Sequence, residues 1–172
     1  MPNIITLVKH FQSSNQYVIF TQHGHSEEEL KGDRNSTNQL VRKWGASGSI
    51  KMGSDDWQID GELQPYVKKG DNTYTVPKNT YDAFLAPSFI EKSKPSLLSI
   101  LEKEKIERVV LCGVMTDCCV DTTGRSAFNR GYEAVVVDDA CGSANSAQHE
   151  AGLKGFEFGF GEIHITTQIV HA

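Results

Sequence analysis

No stretch of these 172 residues is apolar for long enough to cross a membrane as a helix. No signal peptide is visible or expected, because the opening Met-Pro-Asn-Ile-Ile-Thr-Leu-Val-Lys-His soon turns charged. Basic charge is in short supply. Seventeen Lys and Arg against 22 Asp and Glu leave a net charge of -5, which argues against nucleic acid as the main partner. Internal repeats and low-complexity tracts are absent. With 38% hydrophobic and 23% charged residues, the composition excludes a disordered chain and suits one domain spanning residues 1–172. Cysteine is sparse. Cys112, Cys118, Cys119 and Cys141 fall in or beside expected core strands rather than in a disulfide framework, which points to the reducing cytoplasm, with non-classical secretion left open.

What is present alternates between helical and extended patterns. Ile4, Leu7, Val8 and Phe11 recur at the spacing of one helix face. Gln16–Gln22 reads as a strand rich in β-branched and aromatic residues. His23 to Asp71 is a long polar excursion, the kind of segment that forms a lid or pocket wall. Within it, Trp44 and Trp57 are expected to anchor the excursion to the core, with pocket lining the lesser reading. Thr73–Val76 reads as a short strand, and Pro95–Lys105 as a helix with Pro95 in its first turn and Leu97, Leu98 and Leu101 facing inward. Glu133–Asp139 is a buried strand, Ala140–Asn145 a loop, Ser146 to about Lys154 a short helix and Ile163–Val170 a last strand. Strands alternating with helices predict an α/β fold with a mainly parallel sheet covered on both faces.

Residues 107–131 carry the strongest chemical signal. Val109 to Cys112 is a buried strand, Gly113 ends it, and a helix is expected from near Cys119 to Gly131. Two thiols therefore sit where a strand hands over to a helix, at the end of an α/β sheet where ligands bind. Unpaired N–H groups and the helix dipole favour a thiolate there, making Cys119 the candidate nucleophile. Cys118 reads as structural, and Cys112 and Cys141 as core. Lys78 follows a strand parallel to Val109–Cys112 and projects toward the same crevice. Alone, it reads as a solvated surface lysine, although Pro77, Tyr81 and Phe84 suggest a shaped wall. His23, His25 and Glu29 make a weak metal pattern, and Glu27, Glu28 and Glu29 read better as a solvated helix start. Asp138 and Asp139 end a strand, where carboxylates usually cap loops or pair with arginine.

The run Gly113-Val114-Met115-Thr116-Asp117-Cys118-Cys119-Val120 resembles the G-[VI]-x-T-D-x-C-V signature of the isochorismatase-like cysteine hydrolases. The likeness continues through Thr122 to Tyr132, Val137 to Ala140 and Lys78 to Phe84, and it is nearest to the fungal-type members. It implies a Rossmann-like three-layer α/β/α fold, commonly oligomeric, and an Asp-Lys-Cys triad in which Cys119 is the nucleophile and Lys78 the lysine. It also implies a non-proline cis peptide at Val114–Met115. The Val114-Met115-Thr116 turn would aim backbone N–H groups at an oxyanion, with the Met115 and Cys119 amides as donors. His23, Trp44, Tyr81 and Phe84 become substrate-pocket candidates. No cofactor and no metal are expected, His23 and His25 being the weak metal candidates. The family's first central strand and its aspartate have no counterpart between Met1 and Ile19, and the expectation is a chain that starts short.

The implied activity is hydrolysis of a small molecule, either isochorismate at its vinyl ether or a small amide, nicotinamide included. The contrasting reading is a catalytically impaired relative that binds a ligand or serves assembly. Expected partners are a small-molecule substrate and further copies of the chain, possibly exchanging a strand, with neither nucleic acid nor membrane.

Overall fold

The computed structural model describes residues 1–67, 70–85, 87 and 94–171. The fold is Rossmann-like, with helices on both faces of parallel strands. Helix α1 (Pro2–Ser13) leads into strand β1 (Val18–His23). The excursion that follows is built of short pieces: α2 (Glu27–Lys31), α3 (Gln39–Trp44) and α4 (Gln64–Val67), joined by 3₁₀ turns. Then come β2 (Thr73–Lys78), α5 (Leu97–Lys103) and β3 (Arg108–Val114). A π-helical turn (Thr116–Val120) carries the two adjacent thiols into α6 (Asp121–Phe128). The chain continues through β4 (Glu133–Gly142), α7 (Ser146–Gly159), β5 (Glu162–His164) and α8 (Thr166–Val170).

Side-chain alternation along the strands decides the layers. On one face Val76, Ala134 and Val136 pack with Leu97, Ile100 and Leu101 of α5, Ala127 of α6 and Phe156 of α7. On the other face Val137 and Ala140 pack with Leu7 of α1, supported by Val110, Cys112 and Ile169. Helices α1 and α5 cover the sheet with the apolar residues that mark them in the sequence.

The described strands make two parallel sheets, β1-β2 and β3-β4-β5. Strand β1 pairs with β2 from Val18↔Thr73 to His23↔Lys78. Strand β3 pairs with β4, with a register irregularity between Leu111 and Gly113 where Gly113 adopts φ +111°. A side chain there would be strained, so glycine suits the point where the strand bends toward the turn. Between the facing edges of β1 and β3 lies a cavity of about 250 Å³. Val18, Ile19, Val109 and Leu111 line it from the strands, α1 closes one side, and α5 and α6 close the other.

Several local expectations change. Residues 163–170 are not one strand: β5 ends at His164 and α8 follows. The β-branched Thr166-Thr167-Gln168-Ile169-Val170 suggests a strand, but Asp139 Oδ1 accepts from Thr166 N–H (2.8 Å) and Thr166 Oγ1–H (2.7 Å), fixing a helix start. Pro95 lies outside α5, whose N-cap is Ser96, its hydroxyl accepting from Ser99 N–H. Ile100, rather than Leu98, joins Leu97 and Leu101 as a buried residue of α5. Strand β4 runs on through Ala140-Cys141-Gly142, and α7 continues to Gly159, beyond the short helix expected. Cys119 lies in the wide turn ahead of α6, not in its first residues.

Candidate active site

Parallel strands bring their C-terminal ends to one rim. Lys78 closes β2 and Val114 closes β3, so the lysine and the thiol-bearing turn meet there. Lys78 Nζ lies 3.0 Å from Cys119 Sγ. It also donates to the carbonyls of Thr80 (2.9 Å) and Tyr81 (3.2 Å). The side chain is 3% exposed, so the solvated-surface reading of this lysine is wrong. Burial is possible because two carbonyls and the sulfur replace water around the ammonium. An ammonium held against sulfur stabilises negative charge on it.

The other thiols differ. Burial pushes Cys112 up to about 11, and burial, reinforced by Cys112, pushes Cys141 to about 12. Cys118 is raised by burial and by the charge of Asp117. Cys119 is the cysteine with a cation at bonding distance. The carboxylates on its own segment are engaged elsewhere. Asp117 accepts a short hydrogen bond from the Ser143 hydroxyl, and both oxygens of Asp121 accept from Arg125 Nε (2.9 and 2.8 Å).

The Val114–Met115 peptide is cis. Val114 is 73% exposed, whereas Thr116 is buried. Met115 C=O accepts from Cys118 N–H (3.1 Å) and Val120 N–H (3.2 Å), which winds the turn.

The four pocket candidates separate. Trp44 Nε1–H donates to Tyr81 Oη at 3.1 Å, and the Tyr81 carbonyl holds Lys78, so these two belong to the rim. Trp44 is 50% exposed and does not anchor the excursion. Trp57 takes that role, its ring resting on Gly24, where a Cβ would come within 2.5 Å of Cδ1, and its carbonyl accepting from Gln22 Nε2–H (3.2 Å). Trp44 instead meets the Tyr81 hydroxyl, with the Lys43 ammonium 5.3 Å from its ring centroid. Phe84 is a core residue, stacked on Tyr132 with Arg130 over its ring, and it lines the inner cavity.

His23 stands beside Lys78 in register. Burial, then the charges of Lys78 and His25, lowers it to about 4, so it is neutral near pH 7. His25 is buried and also lowered by burial. Its Nδ1 lies 3.9 Å from Glu29 Oε2, too far for a hydrogen bond. Among the described residues no group of three or more His, Cys, Asp or Glu is placed to hold a metal ion.

The glutamate run is only partly a solvated helix start. Ser26 and Glu29 form a capping box, and Glu29 Oε1 accepts from Asn38 and Asn79, both at 2.9 Å. That network ties the excursion to the segment after Lys78. Neither asparagine stands out in sequence, because the three residues meet only in the fold. His149, which reaches Thr116 and Asp138, is nearly as hard to find from the sequence. A polar residue on the inward side of the helix starting at Ser146 was its one available signal.

Residues 1–168 match the model of the Isochorismatase domain. The chain belongs to the isochorismatase family. It is therefore an isochorismatase-family hydrolase, and the Gly113–Val120 signature agrees with that membership. It is 32% identical over 158 residues to Nicotinamidase 3 of Arabidopsis thaliana, covering 92% of this chain and 71% of that protein. A cysteine hydrolase structure from Pseudomonas syringae pv. phaseolicola 1448A superposes with TM-score 0.78 over 99% of this chain and 78% of that one, at 18% identity. The nicotinamidase/pyrazinamidase PncA of Bacillus subtilis superposes with TM-score 0.76 over 95% of this chain and 82% of its own, at 23% identity. These structural likenesses bear on the fold.

Proposed function

We propose that this isochorismatase-family chain hydrolyses a small amide, with Cys119 as nucleophile and Lys78 as its charge partner. The 3.0 Å contact between Lys78 Nζ and Cys119 Sγ carries the reading, and the 32% identity to a nicotinamidase supports the amide class. The sulfur attacks the amide carbonyl carbon, forming a C–S bond and moving an electron pair onto oxygen. Collapse breaks the C–N bond. Lys78 gives a proton to the departing nitrogen, which leaves as ammonia. Water then attacks the thioester, gives one proton back to Lys78, and releases the carboxylic acid and the Cys119 thiolate, restoring the starting ion pair. The Val114-Met115-Thr116 turn faces the developing oxyanion, and Tyr81 and Trp44 border the substrate.

Ammonia release from nicotinamide tests this, with isochorismate hydrolysis measured alongside. Cys119→Ala should abolish amide turnover and Lys78→Met should lower it by about a thousandfold. Equal ammonia release by wild type and Cys119→Ala would refute the nucleophile. Turnover of isochorismate alone, unaffected by Cys119→Ala, would move the activity to the vinyl-ether class.

A second reading rests on the divided sheet. The edges of β1 and β3 that face the cavity are where a further strand would add, so a homo-oligomer that shares a strand across this slot is the assembly we propose. Light scattering across protein concentrations tests it, a monomer throughout being the contrary result. The free cysteines fit a reducing, cytoplasmic setting.

A further inference from the structure

Thr116, His149 and Asp138 form a connected chain outside the Lys78–Cys119 pair. Thr116 Oγ1 lies 2.7 Å from His149 Nδ1, and His149 Nε2 lies 2.8 Å from Asp138 Oδ1. An ionised carboxylate only accepts, so the hydrogen sits on Nε2. In the neutral ring Nδ1 then offers a lone pair, and the Thr116 hydroxyl donates to it. The sequence of groups looks like a relay for a hydroxyl nucleophile. Thr116 is only 2% exposed, however, and its hydroxyl is turned to His149, so it is not placed to attack a substrate.

The location suggests a different job. Thr116 is the first residue of the π turn, directly after the cis peptide and three residues before Cys119. His149 comes from α7 and Asp138 from β4. Helix α7 approaches the same turn again at Gly152, where a Cβ would stand 3.0 Å from Asp117 Cα. The Ser143 hydroxyl, just ahead of α7, donates to Asp117 Oδ1. Two consecutive residues of the turn are thus held from outside, Thr116 by His149 and Asp117 by Ser143. Lys78 reaches the thiol from β2, on the other sheet, so a 3.0 Å contact requires the turn to be fixed independently.

We infer that His149 is a positioning residue for the nucleophile: oriented by Asp138, it holds the Thr116 hydroxyl and through it the turn that presents Cys119 to Lys78. The catalytic consequence rests on the cysteine-hydrolase reading above, while the holding of the turn stands apart from it. The relevant chemistry is the acceptor at Nδ1, so asparagine, whose side-chain oxygen occupies a similar place, should substitute and alanine should not.

The test is the rate of Cys119 alkylation by iodoacetamide as a function of pH, followed by peptide mass. The proteins are wild type, Thr116→Val, Thr116→Ser, His149→Ala, His149→Asn and the Thr116→Val/His149→Ala double variant. Thr116→Val and His149→Ala should each slow alkylation about tenfold, with the double variant no slower than either single one, as for partners in one hydrogen bond. Thr116→Ser and His149→Asn should stay within about threefold of wild type and keep its pH profile. Independent losses that multiply in the double variant, or single variants with unchanged rates, would overturn the inference. Amide hydrogen exchange over residues 116–120 is the second measurement. It should accelerate in Thr116→Val and His149→Ala and stay protected in His149→Asn. If wild-type Cys119 alkylates no faster than Cys112, the hydrolase reading fails, and exchange alone decides the clamp: unchanged exchange in His149→Ala refutes it.

Discussion

Acid should destabilise this protein through His23, a histidine locked neutral beside the buried Lys78. Burial, then the charges of Lys78 and His25, lowers His23 from the ordinary value of 6.5 to about 4. Its Nδ1 is buried without a hydrogen-bond partner among the described residues. A depressed histidine means that the unfolded chain takes up the proton first as pH falls. Stability is therefore intact above about pH 6.5, falls through the window between there and about 4, and levels off below it. One pH unit corresponds to about 1.4 kcal/mol, so the whole window corresponds to about 3 kcal/mol and the part above pH 5 to about 2 kcal/mol. The assay is urea unfolding of wild type and His23→Gln near neutrality and at about pH 5. His25, lowered by its own burial, and any carboxylates titrate in both proteins. The difference between the two pH dependences therefore isolates His23. Wild type should lose about 2 kcal/mol more than the variant. Parallel losses would refute the argument, because they would mean that His23 accepts its proton in the folded state as easily as in the unfolded one.

Two further outcomes test the packing that supports the site. Gly161→Ala would place a Cβ 2.1 Å from the Ala134 carbonyl oxygen, which belongs to the β4 backbone and cannot rotate away. A loss of roughly 3 kcal/mol is expected, seen as a fall in melting midpoint of about 10 °C. Asp139→Ala removes the two bonds that start α8 and should cost about 1–2 kcal/mol, with faster hydrogen exchange confined mainly to α8.

Much of the fold was legible because burial leaves periodic marks. The stripe of Ile4, Leu7, Val8 and Phe11 announced α1, and the runs at 109–112 and 134–137 announced β3 and β4. Legibility failed where a distant side chain decides the backbone. Asp139 turns a strand-like segment into α8, and nothing within residues 165–170 reveals that cap. The position of Cys119 near a strand-to-helix handover was readable, but the π turn was not, since its hydrogen bonds converge on one carbonyl, that of Met115. Lys78 could not be recognised as buried from its neighbours in sequence. Its surroundings include a sulfur far along the chain, and burial follows from that encounter. Trp44 and Trp57 look equivalent in sequence, and only the close approach at Gly24 separates them.

The division of the sheet has a consequence for how the molecule opens. Lys78 belongs to the β1-β2 ladder and Cys119 follows the β3-β4-β5 ladder. With no β-ladder described between the two sheets, their cooperativity rests on side-chain packing through α1, α5 and α6. Each sheet is then a candidate opening unit with a free energy of its own, below that of global unfolding. The lysine–thiol contact spans the seam between those units. Partial opening would separate the cation from the sulfur before either sheet melts, so loss of thiol reactivity would be an early report of loosening, ahead of any change in secondary structure.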